Sequence, residues 1–140
     1  MLGSDIGVDA RVDSAGAEAA SLPELRLALA AGQAPENIVF DSPAKTVPEL
    51  VFALKTGIGV NADNLEELSR IEALLREIPS ASRIGIRINP QVGRGRIAAT
   101  SVAGRRSKFG VPLANEAALM EAFRRHPWLT GVHVHVGSQG

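Results

Sequence analysis

The chain has 140 residues, with 15 basic side chains balanced by 15 acidic ones and no cysteine. The charge balance argues against a broad basic face for nucleic acid, and the absence of cysteine excludes disulfides, thiolate metal sites and a cysteine nucleophile. No stretch approaches the roughly 20 apolar residues needed to span a bilayer, and Met1 to Gly16 carries Asp5, Asp9, Arg11 and Asp13 where a signal peptide needs an apolar core, so a cytoplasmic location is expected.

In chain order, the organising signal is a helix start that recurs directly after short apolar runs. Gly16 to Ala20 reads as a strand, and Ser21-Leu22-Pro23-Glu24 follows it as a capping box, with a cap hydroxyl, a proline in the first turn and a glutamate that returns the bond. Ile38 to Phe40 is the second strand, and Thr46-Val47-Pro48-Glu49 repeats the box. Ile58 to Asn61 is the third strand, and Asp63-Asn64-Leu65-Glu66 repeats it again with an aspartate cap. Leu65, Leu68, Ile71, Leu75 and Ile78 then share one helical face.

Further on, Arg83 to Asn89 places its isoleucines on one face of a fourth strand and Gly85, Arg87 and Asn89 on the other, until Pro90 ends it. Arg94, Arg96, Arg105 and Arg106 lie in a Gly/Ala/Ser/Thr-rich stretch that reads as a solvated loop. A fourth helix is expected over Leu113 to Arg125. The last strand alternates valine and histidine, with Val132, Val134 and Val136 on a buried apolar face and His133 and His135 opposite. It runs into Gly137-Ser138, where a glycine bend and a serine offer backbone amides and a hydroxyl to an anion.

Strands alternating with helices predict an α/β fold with a parallel sheet, either a barrel or a doubly wound sheet. Gly93-Arg94-Gly95 lacks the third glycine of a dinucleotide loop and follows Asn89-Pro90, not a strand that opens a helix. Polar residues gather instead at the C-terminal ends of the strands: Glu18 and Ser21, Asp41 and Ser42, Asn61 and Asp63, Arg87 and Asn89, His135 and Ser138. A (β/α)8 TIM barrel builds its site on that rim, and about five strands and four helices make a partial barrel.

Five segments carry a more specific signal: Glu18 to Leu25, Val39 to Thr46, Ile86-Arg87-Ile88-Asn89-Pro90, Ser107-Lys108-Phe109-Gly110, and His133 to Gln139. In this order they resemble the alanine-racemase-like, pyridoxal-phosphate-binding barrel of the fold-type III decarboxylases that act on ornithine, diaminopimelate and arginine. The Arg-x-Asn-Pro and His-x-Gly-Ser-Gln forms look most like the diaminopimelate branch.

The resemblance covers residues 16–140 and leaves 1–15 as an irregular segment. It implies pyridoxal 5′-phosphate as cofactor, with His135 stacked on its ring, Ser138 and Gly137 holding its phosphate, Arg87 near the ring substituents, and Glu18 where the family has aspartate. Glu24 matches a family glutamate but is explained by its capping role, and His133 reads as barrel filling. An inward Arg87 among isoleucines needs an anionic or hydrogen-bonded partner to offset desolvation.

Neither Lys45 nor Lys108 matches the family's Schiff-base lysine, which lies on the strand before Glu18. The last barrel strands and the C-terminal β domain are likewise not matched. The expectation is therefore part of an amino-acid decarboxylase, inactive as this chain alone and homodimeric in the parent enzyme. Its expected substrate is a small-molecule amino acid, diaminopimelate by motif or a related basic amino acid, and neither nucleic acid nor membrane is expected as a partner. The other reading is a non-catalytic, cofactor-binding or regulatory homologue.

Overall fold

The computed structural model describes residues 16–90 and 109–134. Its elements are β1 (Ala17–Ala19), α1 (Leu22–Ala30), β2 (Ile38–Phe40), α2 (Val47–Thr56), β3 (Gly59–Ala62), α3 (Leu65–Leu75), β4 (Ile84–Asn89), β5 (Val111–Pro112), α4 (Glu116–Arg125) and β6 (Leu129–Val134). All strand pairs are parallel and run β1-β2-β3-β4, with β6 also on β4. Ile88 pairs with both Val111 and Val134, so short β5 lies on the edge of β4 that β3 occupies lower down. Apart from short β5, sheet order follows chain order without the reversal of a doubly wound sheet, as a partial barrel requires.

The helix starts follow the sequence closely, with two corrections. At α2 the box is complete: Thr46 Oγ1 accepts the Glu49 N–H at 3.2 Å and Glu49 Oε1 accepts the Thr46 N–H at 2.9 Å. At α1, Ser21 caps Glu24 as expected, but Glu24 Oε1 accepts the N–H of Ala20, one residue before the cap, at 2.8 Å. At α3 the cap is Asn64, whose Oδ1 accepts the Glu67 N–H at 2.7 Å, and not Asp63. The shift of one residue sends Asp63 toward Arg87 and leaves Glu67 to accept the Asp63 N–H at 2.9 Å.

The helices cover one face of the sheet. Ile38, Phe40, Ile84 and Ile86 from the strands meet Leu25, Leu50, Leu54 and Ile71 from the helices in one core. Each such side chain contributes about 1.5–3 kcal/mol on burial. Leu113–Asn115 forms a 3-10 turn before α4, so the helix predicted over 113–125 is α-helical only from Glu116.

The last strand departs further from expectation. Val132 and Val134 share the apolar side of the sheet with Ile86 and Ile88, yet they are 58% and 48% exposed, because the described helices leave that part of the face uncovered. Val136 lies outside the described residues.

Candidate functional site

Neighbours in parallel register point to the same side. The register therefore gives the opposite face of the sheet Glu18 and Val39, then Asn61 and Gly85, then Arg87 and His133. Asp41 and Asp63 lie two residues beyond Val39 and Asn61 at the C-terminal ends of their strands, continuing the alternation. Among the described residues, this face carries Glu18, Asp41, Asn61, Asp63 and Arg87 where the sequence places them. Gly85 keeps it open: a Cβ there would meet Asn61 Oδ1 at 2.5 Å and the Gly131 backbone at 3.3 Å.

Two groups of charges stand on this face. In the first, Arg87 is buried and its Nη1 lies 3.5 Å from Asp63 Oδ1, which supplies the anionic partner that an inward arginine needs. The Phe109 ring centroid lies 5.3 Å from the Arg87 guanidinium carbon, within cation–π range. Burial raises the Asp63 carboxyl above its ordinary value, while the Gly110 backbone N–H and the charge of Arg87 pull it back down.

In the second group, His133 Nε2 lies 2.9 Å from Asp41 Oδ2 and 3.8 Å from Glu18 Oε2. Three strands thus meet across the concave side, since Glu18 is on β1, Asp41 follows β2 and His133 is on β6. Burial, then the hydrogen bond and negative charge of Glu18, push Asp41 up to about 7 against the opposing pull of Arg87 and Lys45. The arrangement holds a proton near neutral pH beside a cleft of about 250 Å³ lined by Glu18, Ala20, Glu24, Asp41 and Arg87.

Of the residues singled out from sequence, Glu18 and Arg87 share this cleft, and Glu24 lines it while also bonding to Ala20. His133, read as barrel filling, is a member of the carboxylate cluster. His135, Gly137, Ser138 and Lys108 lie outside the described residues. Lys45 is fully buried, with Nζ 2.8 Å from Glu67 Oε1 and donating to the Ser42 carbonyl at 2.6 Å. Asp41 and Asp63 were legible as rim residues but not as partners of His133 and Arg87. The usable signal was their two-residue spacing from Val39 and Asn61.

Comparison with known proteins adds identity to this geometry. Residues 10–140 match the family described as pyridoxal-dependent decarboxylase, pyridoxal binding domain. L-glutamyl-[BtrI acyl-carrier protein] decarboxylase of Niallia circulans is 38% identical over 127 residues, covering 89% of this chain and 29% of the relative. Diaminopimelate decarboxylase of Methanothermobacter thermautotrophicus is 35% identical over 130 residues, covering 90% of the chain and 29% of the relative. The crystal structure of diaminopimelate decarboxylase from Helicobacter pylori complexed with L-lysine superposes with a TM-score of 0.77 at 32% identity, over 92% of this chain and 34% of that one. The chain thus spans about a third of the length of the proteins it matches.

Proposed function

The chain belongs to the pyridoxal-dependent decarboxylases, matching their pyridoxal-binding domain, and from that premise we propose that it supplies the cofactor-holding face of a decarboxylase acting on diaminopimelate or a related basic amino acid. The observation that carries this reading is the cleft that joins Arg87 to Glu18 and Asp41 at the C-terminal ends of the strands. Its residues fit the group: a buried guanidinium suits an anionic oxygen, and the carboxylates suit a protonated ring or amine. His135, Gly137 and Ser138 complete the set in this proposal, the imidazole on the ring and the glycine-serine turn at the phosphate.

Pyridoxal phosphate, when bound, supplies an electron sink for the bond that breaks as carbon dioxide leaves. The chain's own part is to hold and orient it. Arg87 positions an anionic substituent, Glu18 accepts a hydrogen bond, and Asp41, raised to about 7, retains a proton at the cleft. Lys45, committed to Glu67 and Ser42, is not available to bond a carbonyl. The chain alone is expected to be inactive.

We propose a homodimeric state and a cytoplasmic location for the decarboxylase. Among the described residues no helix is long and apolar enough to cross a membrane. A second substrate reading has its own support, because the relative with 38% identity is named for a glutamyl group on an acyl-carrier protein.

The test is carbon dioxide release by the purified gene product that contains this segment. Release from meso-diaminopimelate supports the first reading, and release only from carrier-bound glutamate supports the second. Release from neither, nor from ornithine or arginine, contradicts the decarboxylase assignment. Release by the 140-residue chain itself contradicts its expected inactivity.

A further inference from the structure

We infer that Asp63 and Phe109 are positioning residues for Arg87, holding its guanidinium on the polar face of the sheet so that it meets an anionic oxygen of the cofactor. The inference rests on the cofactor reading above and deepens it by naming what aims its cation.

Arg87 projects from a central strand and is fixed from two directions. Asp63, at the end of the neighbouring β3, places Oδ1 3.5 Å from Nη1. Phe109, from the segment that leads into β5, sets its ring 5.3 Å from the guanidinium carbon. The two supports are themselves joined, since the Gly110 backbone N–H bonds to the Asp63 carboxylate. Gly110 also has to be glycine. Its φ is 81°, and a Cβ there would sit 3.1 Å from both Arg87 Cγ and the Asn89 nitrogen. The segment can therefore lie directly against the arginine stem.

The contact with Asp63 is also suited to holding without consuming the cation. At 3.5 Å it is an ion pair too long for a good hydrogen bond, and the buried Oδ1 has no hydrogen-bond partner. Asp63 thus fixes the guanidinium by charge while leaving the N–H donors uncommitted to it. The cleft lined by Glu18, Ala20, Glu24 and Asp41 lies on the same arginine. Without the supports, Arg87 is expected to swing toward Glu18 and Asp41, whose charges already act on one another.

The experiment uses the 140-residue chain and pyridoxine 5′-phosphate, which lacks the aldehyde and so does not bond to surface lysines. Two readouts are taken: ligand affinity, and the nitrogen-15 spectrum of the arginine Nε–H groups. Asp63→Asn and Phe109→Leu are each expected to weaken binding by roughly tenfold, as for loss of one charge-assisted contact, and to merge the distinct Arg87 Nε–H signal with those of exposed arginines. In an Arg87→Met background neither change is expected to weaken binding further. That non-additivity distinguishes positioning from a merely structural role.

Saturable binding that Asp63→Asn and Phe109→Leu leave unchanged overturns the inference and spares the cofactor reading. The same holds if they weaken binding equally with and without Arg87. A wild-type chain with a distinct Arg87 signal but no binding removes the cofactor reading and this inference with it. Should Asp63→Asn fail to fold, Phe109→Leu carries the same comparison.

Discussion

Two charge systems in this chain, one buried and one partly exposed at the rim of the sheet, are built in opposite ways. Around Lys45 and Glu67 both side chains are buried, and the polar atoms are satisfied at short range. Glu67 Oε1 takes the lysine ammonium at 2.8 Å and the Asp63 N–H at 2.9 Å, while Oε2 takes the Lys45 N–H at 3.3 Å. Around Arg87, Asp63, Asp41, Glu18 and His133 two ion pairs are longer, at 3.5 and 3.8 Å, beside the 2.9 Å contact of His133 with Asp41; Asp63 Oδ1 lacks a hydrogen bond, and Asp41 is pushed up to about 7. The first system ties the loop after β2 to the start of α3, and its job is finished within the fold. The second leaves polar capacity over at the rim of the sheet, where a ligand can use it.

This contrast is most sharply tested by removing Glu67. Glu67→Ala leaves Lys45 buried without its counter-charge, and breaking such a pair costs about 3–5 kcal/mol, read as a lower denaturant midpoint with unchanged slope. Lys45→Met with Glu67→Leu together is expected to recover most of that loss. If Glu67→Ala costs no more than an exposed substitution, the pair is not the fixed tie described here.

Asp41 is expected to behave differently, because its effect depends on pH. Its carboxyl is raised from 3.8 to about 7, so between those values the folded chain holds a proton that the unfolded chain has released. Stability therefore falls as pH rises through that window. Asp41→Asn needs no proton and is expected to gain on the wild type from pH 4 to pH 7, with a constant difference above. Parallel pH profiles of the two proteins would contradict the raised value.

Two smaller effects calibrate the scale. Asn64→Ala removes the cap of α3 and is expected to cost about 1 kcal/mol. Its Oδ1 bond to the Glu67 N–H also sets the helix register that holds the lysine pair. Arg124→Ala breaks only the exposed contact with Glu121 and is expected to stay within about 0.5 kcal/mol of wild type in the same denaturation experiment.

The local grammar of the fold was legible because each signal acts over a few residues. Thr46 with Glu49, Ser21 with Glu24 and the alternation in Ile84 to Asn89 each decide a structure from their own chemistry. The site was legible only as a rim. Arg87 could be seen to need an anion, but the choice of Asp63 depended on Asn64 taking the cap, a competition between adjacent cap formers that spacing alone does not resolve. His133 meets Asp41 and Glu18 only because the sheet brings β6 opposite β1 and β2, a long-range contact that no local pattern encodes. The exposure of Val132 and Val134 has the same origin, since alternation sets a side chain's face but not what covers it.

The central claim is that the under-satisfied face around Arg87, and not the satisfied one around Lys45, receives the cofactor. Titrating the isotopically labelled chain with pyridoxine 5′-phosphate while following residue-resolved signals tests it most directly. Saturable shifts at Glu18, Asp41, Arg87 and His133, with Lys45 and Glu67 unmoved, are the expected result. Shifts centred on Lys45 and Glu67, or none at saturating ligand, would contradict it.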